Sequence, residues 1–294
     1  MTGIAFDTVC LVGIGLINSS LARALRCHNL ARRLIALDAS ETARATALRL
    51  GVVDEAYEDA ESAVAGADLV VIGTPMGAFP AVGAAIGPYL KQGAIVTDVG
   101  SVKTAAIRDL GPFIPEGVAF VPGHPIAGTE FSGPENGFAG LFAGRWHILT
   151  PPPGTDDDAV QRMVALWQAV GAQVEVMEPR HHDQVLAITS HLPHLIAYTI
   201  VGTAADLEEH LASEVIKFSA SGFRDFTRIA ASDPVMWRDI FLNNREAVLD
   251  VIQRFTEDLT ALQRAIRWGE GDVLEQRFAK TRAIRRAVID AKQA

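Results

Sequence analysis

The pattern of apolar and polar positions changes near residue 178, and the two parts of the chain predict different kinds of structure. Up to Glu178, short runs of β-branched and other apolar residues alternate with segments whose apolar residues recur at helical spacing. The strand-like runs are VCLVG, LIALD, LVVIGT, AIVTDV, VAFVPG, WHILT and VEVME. The helical segments are SSLARALRCHNL, ETARATALRLG, PAVGAAIGPYL, VKTAAIRDL and DAVQRMVALWQAVGA. This alternation predicts βαβ units that build a mostly parallel sheet.

From His182 onwards the pattern is helical, and it contains no strand-like run. We therefore predict an α/β fold in which a mostly parallel sheet domain, residues 1–179, is followed by an all-α domain, residues 180–294. The length of 294 residues agrees with two domains, although length alone would also fit one large α/β domain.

The segment that begins at Asp233 and Pro234 predicts a long helix, because Asp is a favoured N-cap and Pro suits the first helical turn. Gly269 and Gly271 end this helix, and Asp272 starts a last one. The apolar residues of the long helix form a heptad-like stripe: Phe241, Val248, Ile252, Phe255, Leu259, Leu262 and Ile266. Such a stripe needs a partner helix, either in its own domain or in a second subunit. Because closed dimers are the commonest oligomers, we predict a homodimer through the helical domain.

Composition and charge narrow the class of protein. With 49% hydrophobic and 21% charged residues, the chain has the composition of a globular protein. Its net charge of -9 repels a polyphosphate backbone, which disfavours nucleic acid as a partner. We find no leader segment and no apolar stretch long enough to span a bilayer, so we expect a cytosolic protein without a membrane partner. Cys10 and Cys27 are interpreted as small core residues in a reducing compartment.

A glycine turn follows the first predicted strand and directly precedes a helix. In a dinucleotide-binding (Rossmann-type) domain, a glycine such as Gly13 permits the tight turn, and one such as Gly15 lets the pyrophosphate approach the backbone. The N–H groups at the start of the helix, at Leu16 and Ile17, would face the phosphates. Asn18 stands where the pattern has a third glycine, so a larger side chain must fit where helix and strand pack closely. The turn predicts nucleotide binding.

The choice of cofactor depends on Asp38, which lies at the end of the second strand-like run. A carboxylate there accepts hydrogen bonds from the adenosine ribose and repels a 2'-phosphate, which favours NAD over NADP. Arg44 is the residue that would reverse this preference. Alternatively, Asp38 belongs only to a helix entry with Ser40 and Glu41.

Polar residues follow three other strand-like runs: Thr74 with Pro75, Ser101, and His124. In an open α/β sheet, ligands bind outside the carboxyl ends of the strands, so these residues should converge on one crevice. A histidine there can take a hydroxyl proton while the adjacent carbon gives up hydride. Ser101 could orient the imidazole or the substrate hydroxyl. Alternatively, His124 is a loop histidine and Ser101 is a helix N-cap.

Four longer strings resemble the motif set of the prephenate and arogenate dehydrogenases, in that family's order. They are GSVK (100–103), GHPIAGTE (123–130), TSHLPH (189–194) and GFRDFTRIAASDPVMWRDI (222–240). The resemblance covers nearly the whole chain. It implies oxidative decarboxylation of prephenate, arogenate or both, to 4-hydroxyphenylpyruvate or tyrosine. Which substrate is used stays open, as does inhibition by tyrosine at the active site.

The resemblance also implies roles for individual residues. His124 corresponds to the base on the ring hydroxyl, Ser101 to the serine beside it, and Arg228 to the arginine that binds substrate carboxylate. The remaining substrate-side positions are Trp237 lining the pocket, His194 near the substrate, His182 and Asp183 as a polar pair at the pocket mouth, and Ser221, where the family often has a glycine.

Three alternative interpretations have less support from the sequence than the resemblance to this family. A β-hydroxyacid or 6-phosphogluconate-type dehydrogenase normally uses a lysine in its helical domain, for which Lys217 is the candidate. A non-catalytic nicotinamide-sensing protein would not need Ser101, His124 and Arg228 together. His191 and His194 have the spacing of a zinc pair, but we expect no metal, because no third ligand is suitably spaced.

Overall fold

The computed structural model describes residues 5–129, 131–206 and 221–290, and its main sheet has six parallel strands. In chain order these are β1 (Phe6–Val12), β2 (Ala31–Leu37), β3 (Glu55–Tyr57), β4 (Leu69–Ile72), β5 (Ile95–Asp98) and β6 (Ala119–Phe120). Their spatial order is β3-β2-β1-β4-β5-β6. Successive strands are added to one side of β1 up to β3 and to its other side from β4 onwards, so the strand order reverses between β1 and β4. Open sheets of this kind bind their ligands at that point. The predicted α/β class with a mostly parallel sheet is confirmed.

Helices cover both faces of this sheet: α1 (Leu16–Cys27), α2 (Glu41–Arg49), α3 (Ala60–Val64), α4 (Phe79–Ile86) and α5 (Lys103–Leu110). Successive residues of β1 point to opposite faces, so Val9 and Leu11 lie in one apolar cluster while Cys10 and Val12 lie in the other. Cys10 is buried as expected. The same expectation is wrong for Cys27, which ends α1 on its solvent side.

A second, three-stranded sheet consists of β7 (Gly123–Pro125), β8 (Trp146–Leu149) and β9 (Gln173–Val176), with α6 (Asp157–Ala169) between the last two. β7 pairs antiparallel with β8, and β8 pairs parallel with β9. The run VAFVPG, predicted as one strand, is therefore divided between two sheets. Pro122 lies at the division and has no N–H to continue the first ladder.

The part of the chain after β9 is helical throughout the described residues. It contains α7 (Pro179–Leu186), a π-helical turn (Ala187–His191), α8 (Leu192–Ala205), α9 (Ser221–Thr227), a 3-10 turn (Arg228–Ala231), α10 (Pro234–Asn243), α11 (Arg245–Trp268) and α12 (Gly271–Asp290). Asp233 caps α10 by accepting from the N–H groups of Val235 and Met236, as predicted. Gly269 ends α11 in the left-handed region. The single long helix is wrong, since Asn244 interrupts it with a buried side chain that bonds to α7 and the π-helical turn.

Two compact units divide the chain, Met1–Arg245 and Glu246–Ala294. The first unit includes α10, because Trp237 and Ile240 belong to the same apolar cluster as Met76 and Phe79. A domain boundary at 179/180 therefore stays a prediction.

The continuous helical stretch Pro179–Ala205 is long and apolar enough to cross a membrane, contrary to our expectation that no such stretch exists. Length and composition are weak grounds for a span. His182, Asp183 and His191 lie on this stretch and are buried within the protein in hydrogen-bonded positions. We interpret the stretch as a helix of the first unit that carries these polar residues into the interior of that unit.

Candidate active site

The glycine turn after β1 has the geometry that its residues predict. Gly13 lies in the left-handed region, with φ of 79°, and a Cβ added there would be 2.9 Å from the backbone nitrogen of Thr74. At Gly15, which precedes α1, an added Cβ would meet no described atom within 4 Å. The first N–H groups of α1, at Leu16 and Ile17, precede the first hydrogen bond of the helix, which runs from Ser19 to Gly15. The turn thus leaves open space at a helix N-terminus.

Asn18 shows how the departure from the glycine pattern is accommodated. Its buried amide nitrogen donates to the carbonyl groups of Val12, Gly13 and Val71 at 2.9–3.1 Å. These bonds join the ends of β1 and β4. The space comes from Gly73, where an added Cβ would lie 2.6 Å from the Asn18 amide nitrogen. Gly73, directly after the neighbouring strand β4, thus provides the space that a glycine at position 18 would otherwise leave.

Asp38 lies beside the glycine turn at the end of β2. Its carboxylate accepts from the backbone N–H groups of Ile14 and Ser40, both at 2.8 Å. Arg44 reaches the same place from α2 and donates to the carbonyl oxygen of Asp38 at 2.6 Å and to the Glu58 carboxylate at 3.2 Å. The helix entry proposed as an alternative is also present, since Ser40 caps α2.

Thr74 and Pro75 follow β4 on the other side of the glycine turn. Thr74 Oγ1 is buried and has no hydrogen-bond partner among the described residues. Pro75 is exposed and precedes a short 3-10 turn, Met76–Ala78. A buried hydroxyl that lacks a partner is a candidate to bind a ligand.

His124 belongs to a chain of hydrogen bonds that we call the histidine relay, formed by His124, His182 and Asp183. His124 Nδ1 lies 2.9 Å from His182 Nε2, and His182 Nδ1 lies 2.8 Å from Asp183 Oδ1. His124 on β7 is half-buried, whereas His182 and Asp183 on α7 are buried. Their expected position at the pocket mouth is therefore wrong. Their hydrogen bonds lead inward from His124, so they lie behind it.

The relay fixes the tautomer of His124. A carboxylate accepts only, so His182 Nδ1 carries the hydrogen and its Nε2 accepts from His124 Nδ1 when both rings are neutral. His124 Nε2 then bears a lone pair and can take a proton. Burial, together with the imidazole of His182 and the ammonium of Lys103, holds the pKa of His124 well below its usual value. Burial also lowers the pKa of His182, although Asp183 opposes that shift.

Asp183 also binds the N-terminus of α5. It accepts from the backbone N–H groups of Lys103 at 2.8 Å and Thr104 at 3.0 Å, and from the Thr104 hydroxyl. Burial raises the pKa of Asp183, but the bonds from His182, Thr104 and the backbone outweigh it, so the pKa lies below the usual value. The residue at the N-cap position is Val102, so the N-cap alternative for Ser101 is not realised. Ser101 lies half-buried just before α5.

Two charged residues that sequence reasoning missed fix the backbone before His124. Lys103 and Asp98 are fully buried and paired with each other. Lys103 Nζ also donates to the carbonyl oxygen of Gly123 at 2.6 Å, and the Gly123 N–H donates to Asp98 at 3.4 Å. We call Asp98, Lys103 and Gly123 the Gly123 clamp. The sequence signal for this clamp was the aspartate inside the apolar run AIVTDV, because a charge buried with such a strand needs a partner.

His147 is a further buried residue next to the clamp. Its ring stacks on Trp167 at 3.6 Å, and an added Cβ at Gly123 would lie 2.5 Å from its Nε2. Burial, and then Lys103, hold the pKa of His147 well below the usual value. The imidazole therefore explains why residue 123 is a glycine.

A second group, which we call the tryptophan cluster, contains His191, His194 and Trp237. The rings of His194 and Trp237 stack with centroids 3.6 Å apart, and His191 meets Trp237 edge-on at 6.1 Å. Asn244 connects this cluster to the relay, since its amide nitrogen lies 2.8 Å from the Asp183 carbonyl oxygen and 3.1 Å from His191 Nδ1. Burial lowers the pKa of His191 to about 4.

Arg228 begins the exposed 3-10 turn after α9. Burial lowers the pKa of His194, the bond to the Ser190 carbonyl opposes this, and the charge of Arg228 lowers it further, which places Arg228 within electrostatic reach of His194. Ser221 is exposed at the start of α9. Lys217 and Glu130 lie outside the described residues.

The described ranges contain no group of three or more His, Cys, Asp or Glu side chains that could hold a metal ion. The two histidines of the candidate zinc pair use their Nδ1 atoms in other ways. His191 faces Asn244, and His194 faces the carbonyl oxygen of Ser190 at 2.9 Å.

Known proteins resemble this chain over most of its length. Residues 21–176 match the model of the prephenate dehydrogenase nucleotide-binding domain, and residues 178–280 match that of the prephenate dehydrogenase dimerization domain. A cyclohexadienyl dehydrogenase of Zymomonas mobilis is 40% identical over 283 residues, which is 96% of both chains.

Two solved structures are similar in fold and sequence. One is prephenate dehydrogenase from A. aeolicus in complex with hydroxyphenyl propionate and NAD+, with a TM-score of 0.87, 36% identity and coverage of 96% of this chain and 98% of that one. The other is Synechocystis arogenate dehydrogenase, with a TM-score of 0.79, 28% identity and coverage of 95% and 98%.

Proposed function

Because the chain belongs to the prephenate dehydrogenase family, we propose that His124 is the base of its reaction and that the tryptophan cluster with Arg228 binds the substrate. The chain is a dehydrogenase, and its reaction is an oxidative decarboxylation in tyrosine biosynthesis. Whether it acts on prephenate, on arogenate or on both stays open, as among its relatives. Neither a hydroxyacid dehydrogenase nor a non-catalytic sensor is favoured by these relatives.

The glycine turn fits a dinucleotide. The open space at Gly15, the N–H groups of Leu16 and Ile17 and the unsatisfied Thr74 hydroxyl supply what a pyrophosphate and its neighbours require. Gly13 and Pro75 shape the turn and its far wall. Held by these residues, a nicotinamide cofactor would supply the acceptor for the hydride of the substrate carbon that bears the hydroxyl. We assign this site to NAD, with NADP disfavoured by Asp38.

His124 takes the hydroxyl proton as the hydride leaves. Its Nε2 has the required lone pair, because the relay directs the hydrogen of His124 to Nδ1. The imidazolium that forms is stabilised through His182 by the Asp183 carboxylate. The relay is the single observation that carries this assignment. Ser101, which comes just before α5, would hold the substrate hydroxyl or the imidazole in line.

Arg228 would hold a carboxylate of the substrate, which a guanidinium can bind with two hydrogen bonds. The stacked rings of His194 and Trp237 form an aromatic wall beside it. Ser221, His182 and Asp183 complete the proposed set, with the last two acting through His124. The ketone formed on the ring withdraws electrons from the bond to the ring carboxylate, which then leaves as carbon dioxide.

The test is a direct assay. Purified protein is mixed with NAD or NADP and with prephenate or arogenate, and reduced nicotinamide is followed by its absorbance. His124→Asn should lower kcat by about 10²- to 10⁴-fold, the usual contribution of general base catalysis, while NAD binding changes little. Unchanged turnover in this variant would remove His124 from the mechanism.

We also propose that the chain forms a homodimer through its helical part, which includes the residues that match the dimerization domain. A cytosolic location stays a prediction.

A further inference from the structure

Three charged residues lie near one another at the carboxyl ends of β2 and β3, beside the proposed adenosine site. Asp38 directly follows β2, Glu58 directly follows β3, and Arg44 on α2 bonds to both residues. The side chain of Arg44 is 16% exposed, while that of Glu58 is 74% exposed. The arginine is therefore largely enclosed, whereas the group that binds its outer end lies at the surface.

Arg44 is held at two points. One terminal nitrogen donates to the backbone carbonyl of Asp38 at 2.6 Å, and the other donates to the Glu58 carboxylate at 3.2 Å. The Asp38 carboxylate itself is occupied by two backbone N–H groups and does not pair with Arg44. The cation is thus neutralised by Glu58 and not by the residue that faces the ribose.

This arrangement determines the local charge. Two carboxylates and one guanidinium leave a net negative charge at the edge of the adenosine site, and a 2'-phosphate would add to it. If Glu58 lost its charge, Arg44 would offset Asp38 and would have a free donor to offer a phosphate.

We propose that Glu58 is a specificity-determining residue that keeps the enzyme selective for NAD by holding and neutralising Arg44. The inference rests on the proposed cofactor site, and it assigns to Glu58 an indirect role, because Glu58 acts through Arg44.

The experiment measures binding of two small probes, 5'-AMP and adenosine 2',5'-bisphosphate, by titration calorimetry at low ionic strength. The quantity of interest is the ratio of their Kd values. In Glu58→Gln this ratio should shift by about tenfold toward the 2'-phosphorylated probe, and in Glu58→Lys it should shift further. High salt should weaken both shifts, since exposed charges are screened.

Two controls separate the proposed route from a general charge effect. Glu61→Gln removes an exposed carboxylate three residues away and should leave the ratio unchanged. Glu58→Gln combined with Arg44→Gln should show a much smaller gain over Arg44→Gln alone, since only the direct charge of Glu58 is then removed. A gain of equal size without Arg44, or an equal gain in the Glu61 variant, overturns the proposal.

The outcome also distinguishes this inference from the proposed function. If 5'-AMP does not bind the unaltered protein, the cofactor site itself is wrong. If 5'-AMP binds but neither Glu58 variant shifts the ratio, only the role of Glu58 is rejected. The ratio of NADP-dependent to NAD-dependent turnover in the same variants gives a second measure of the same preference.

Discussion

At the scale of single residues, the chemistry of His124 depends on Asp183, which it contacts only through His182. The Asp183 carboxylate holds the hydrogen of His182 on Nδ1, so His182 Nε2 directs a lone pair at His124. That lone pair holds the hydrogen of His124 on Nδ1, and the Nε2 of His124 is therefore left with its own lone pair. None of these relations is visible in the sequence, because 58 residues separate His124 from His182.

Asp183→Asn tests this dependence. An amide can donate to His182 Nδ1, which would move the hydrogen of His182 to Nε2 and that of His124 to Nε2 as well, so the base would present the wrong tautomer. We expect kcat to fall by about 100-fold with little change in KM. Asp183 also binds the start of α5, so the melting temperature is measured alongside. A stable variant with full turnover would contradict the relay.

Buried histidines also couple stability to pH. Burial lowers the pKa of His191 to about 4 and the pKa values of His124 and His147 well below 6.5. The unfolded chain therefore binds more protons than the folded chain below about pH 6.5, and the free energy of unfolding should fall as the pH decreases from there. For His191 alone the loss between pH 6.5 and 4 is about 3 kcal/mol.

Urea unfolding at pH 7.5, 6.5, 5.5 and 4.5 measures this loss. His191→Gln should reduce the pH dependence, whereas His28→Gln, at an exposed position, should not. Equal stability at pH 7.5 and 4.5 in the unaltered protein would show that the buried imidazoles are not neutral in the way described.

At the scale of elements, α5 connects the two halves of the site. Its first residues bind Asp183 of α7 through the backbone, while the side chain of Lys103 reaches Asp98 at the end of β5 and Gly123 in β7. Burial raises the pKa of Asp98 and lowers that of Lys103, and their mutual attraction opposes both shifts. A pair of this kind favours one geometry more than it adds stability.

Lys103→Met should leave the Asp98 carboxylate buried without its cation, at a cost of about 3–5 kcal/mol in the free energy of unfolding. Adding Asp98→Asn should restore part of that stability, because the uncompensated charge is gone. Turnover should stay low in both variants, since the Gly123 carbonyl has lost its donor and His124 is less well placed. Urea unfolding and kcat are measured for all three proteins; a double variant less stable than Lys103→Met would contradict a buried pair.

Sequence analysis predicted helices and strands correctly where the apolar residues recurred at one regular spacing. The parallel strands other than β3, the five helical segments of the first part and the Asp233 cap follow from apolar spacing and cap chemistry. Two short elements, β3 and α3, were not predicted, because three and five residues carry too little periodicity. The breaks at Pro122 and Asn244 were missed because each depends on distant partners. Thr150 donates to the Pro122 carbonyl, and the Asn244 side chain bonds to Asp183 and His191.

Sequence analysis predicted only part of the candidate site. Strand ends and motifs located the glycine turn, Asp38, His124 and the region of Trp237, because the topology of an open sheet brings strand ends together. For the Gly123 clamp, the sequence offered only the aspartate within AIVTDV as a signal, and the partners of Asp98 could not be identified from it. Asn244 and the positions of His182 and Asp183 behind His124 were beyond sequence reasoning. Burial and hydrogen bonds decide those positions, and they depend on side chains that meet only in the folded protein.

At the scale of the whole molecule, two residues of the predicted stripe are exposed in the second compact unit. Leu259 is 53% exposed and Ile266 is 67% exposed, although both belong to the heptad-like repeat of α11. Exposed apolar residues in such a row indicate a contact surface. The match of residues 178–280 to a dimerization domain makes a second copy of the chain the expected partner.

Leu259→Glu combined with Ile266→Glu should therefore convert the proposed dimer into a monomer, because two carboxylates at the centre of an apolar interface would have to lose their hydration. Arg264→Glu is the matched control, since it also adds a negative charge, in the same helix, but roughly on the opposite face from Ile266. Analytical ultracentrifugation over a range of concentrations gives the mass. The double variant should sediment as a monomer and the control as a dimer, and the monomer should unfold at a lower temperature. If the double variant keeps the mass of the unaltered protein, the stripe of α11 is not the subunit interface.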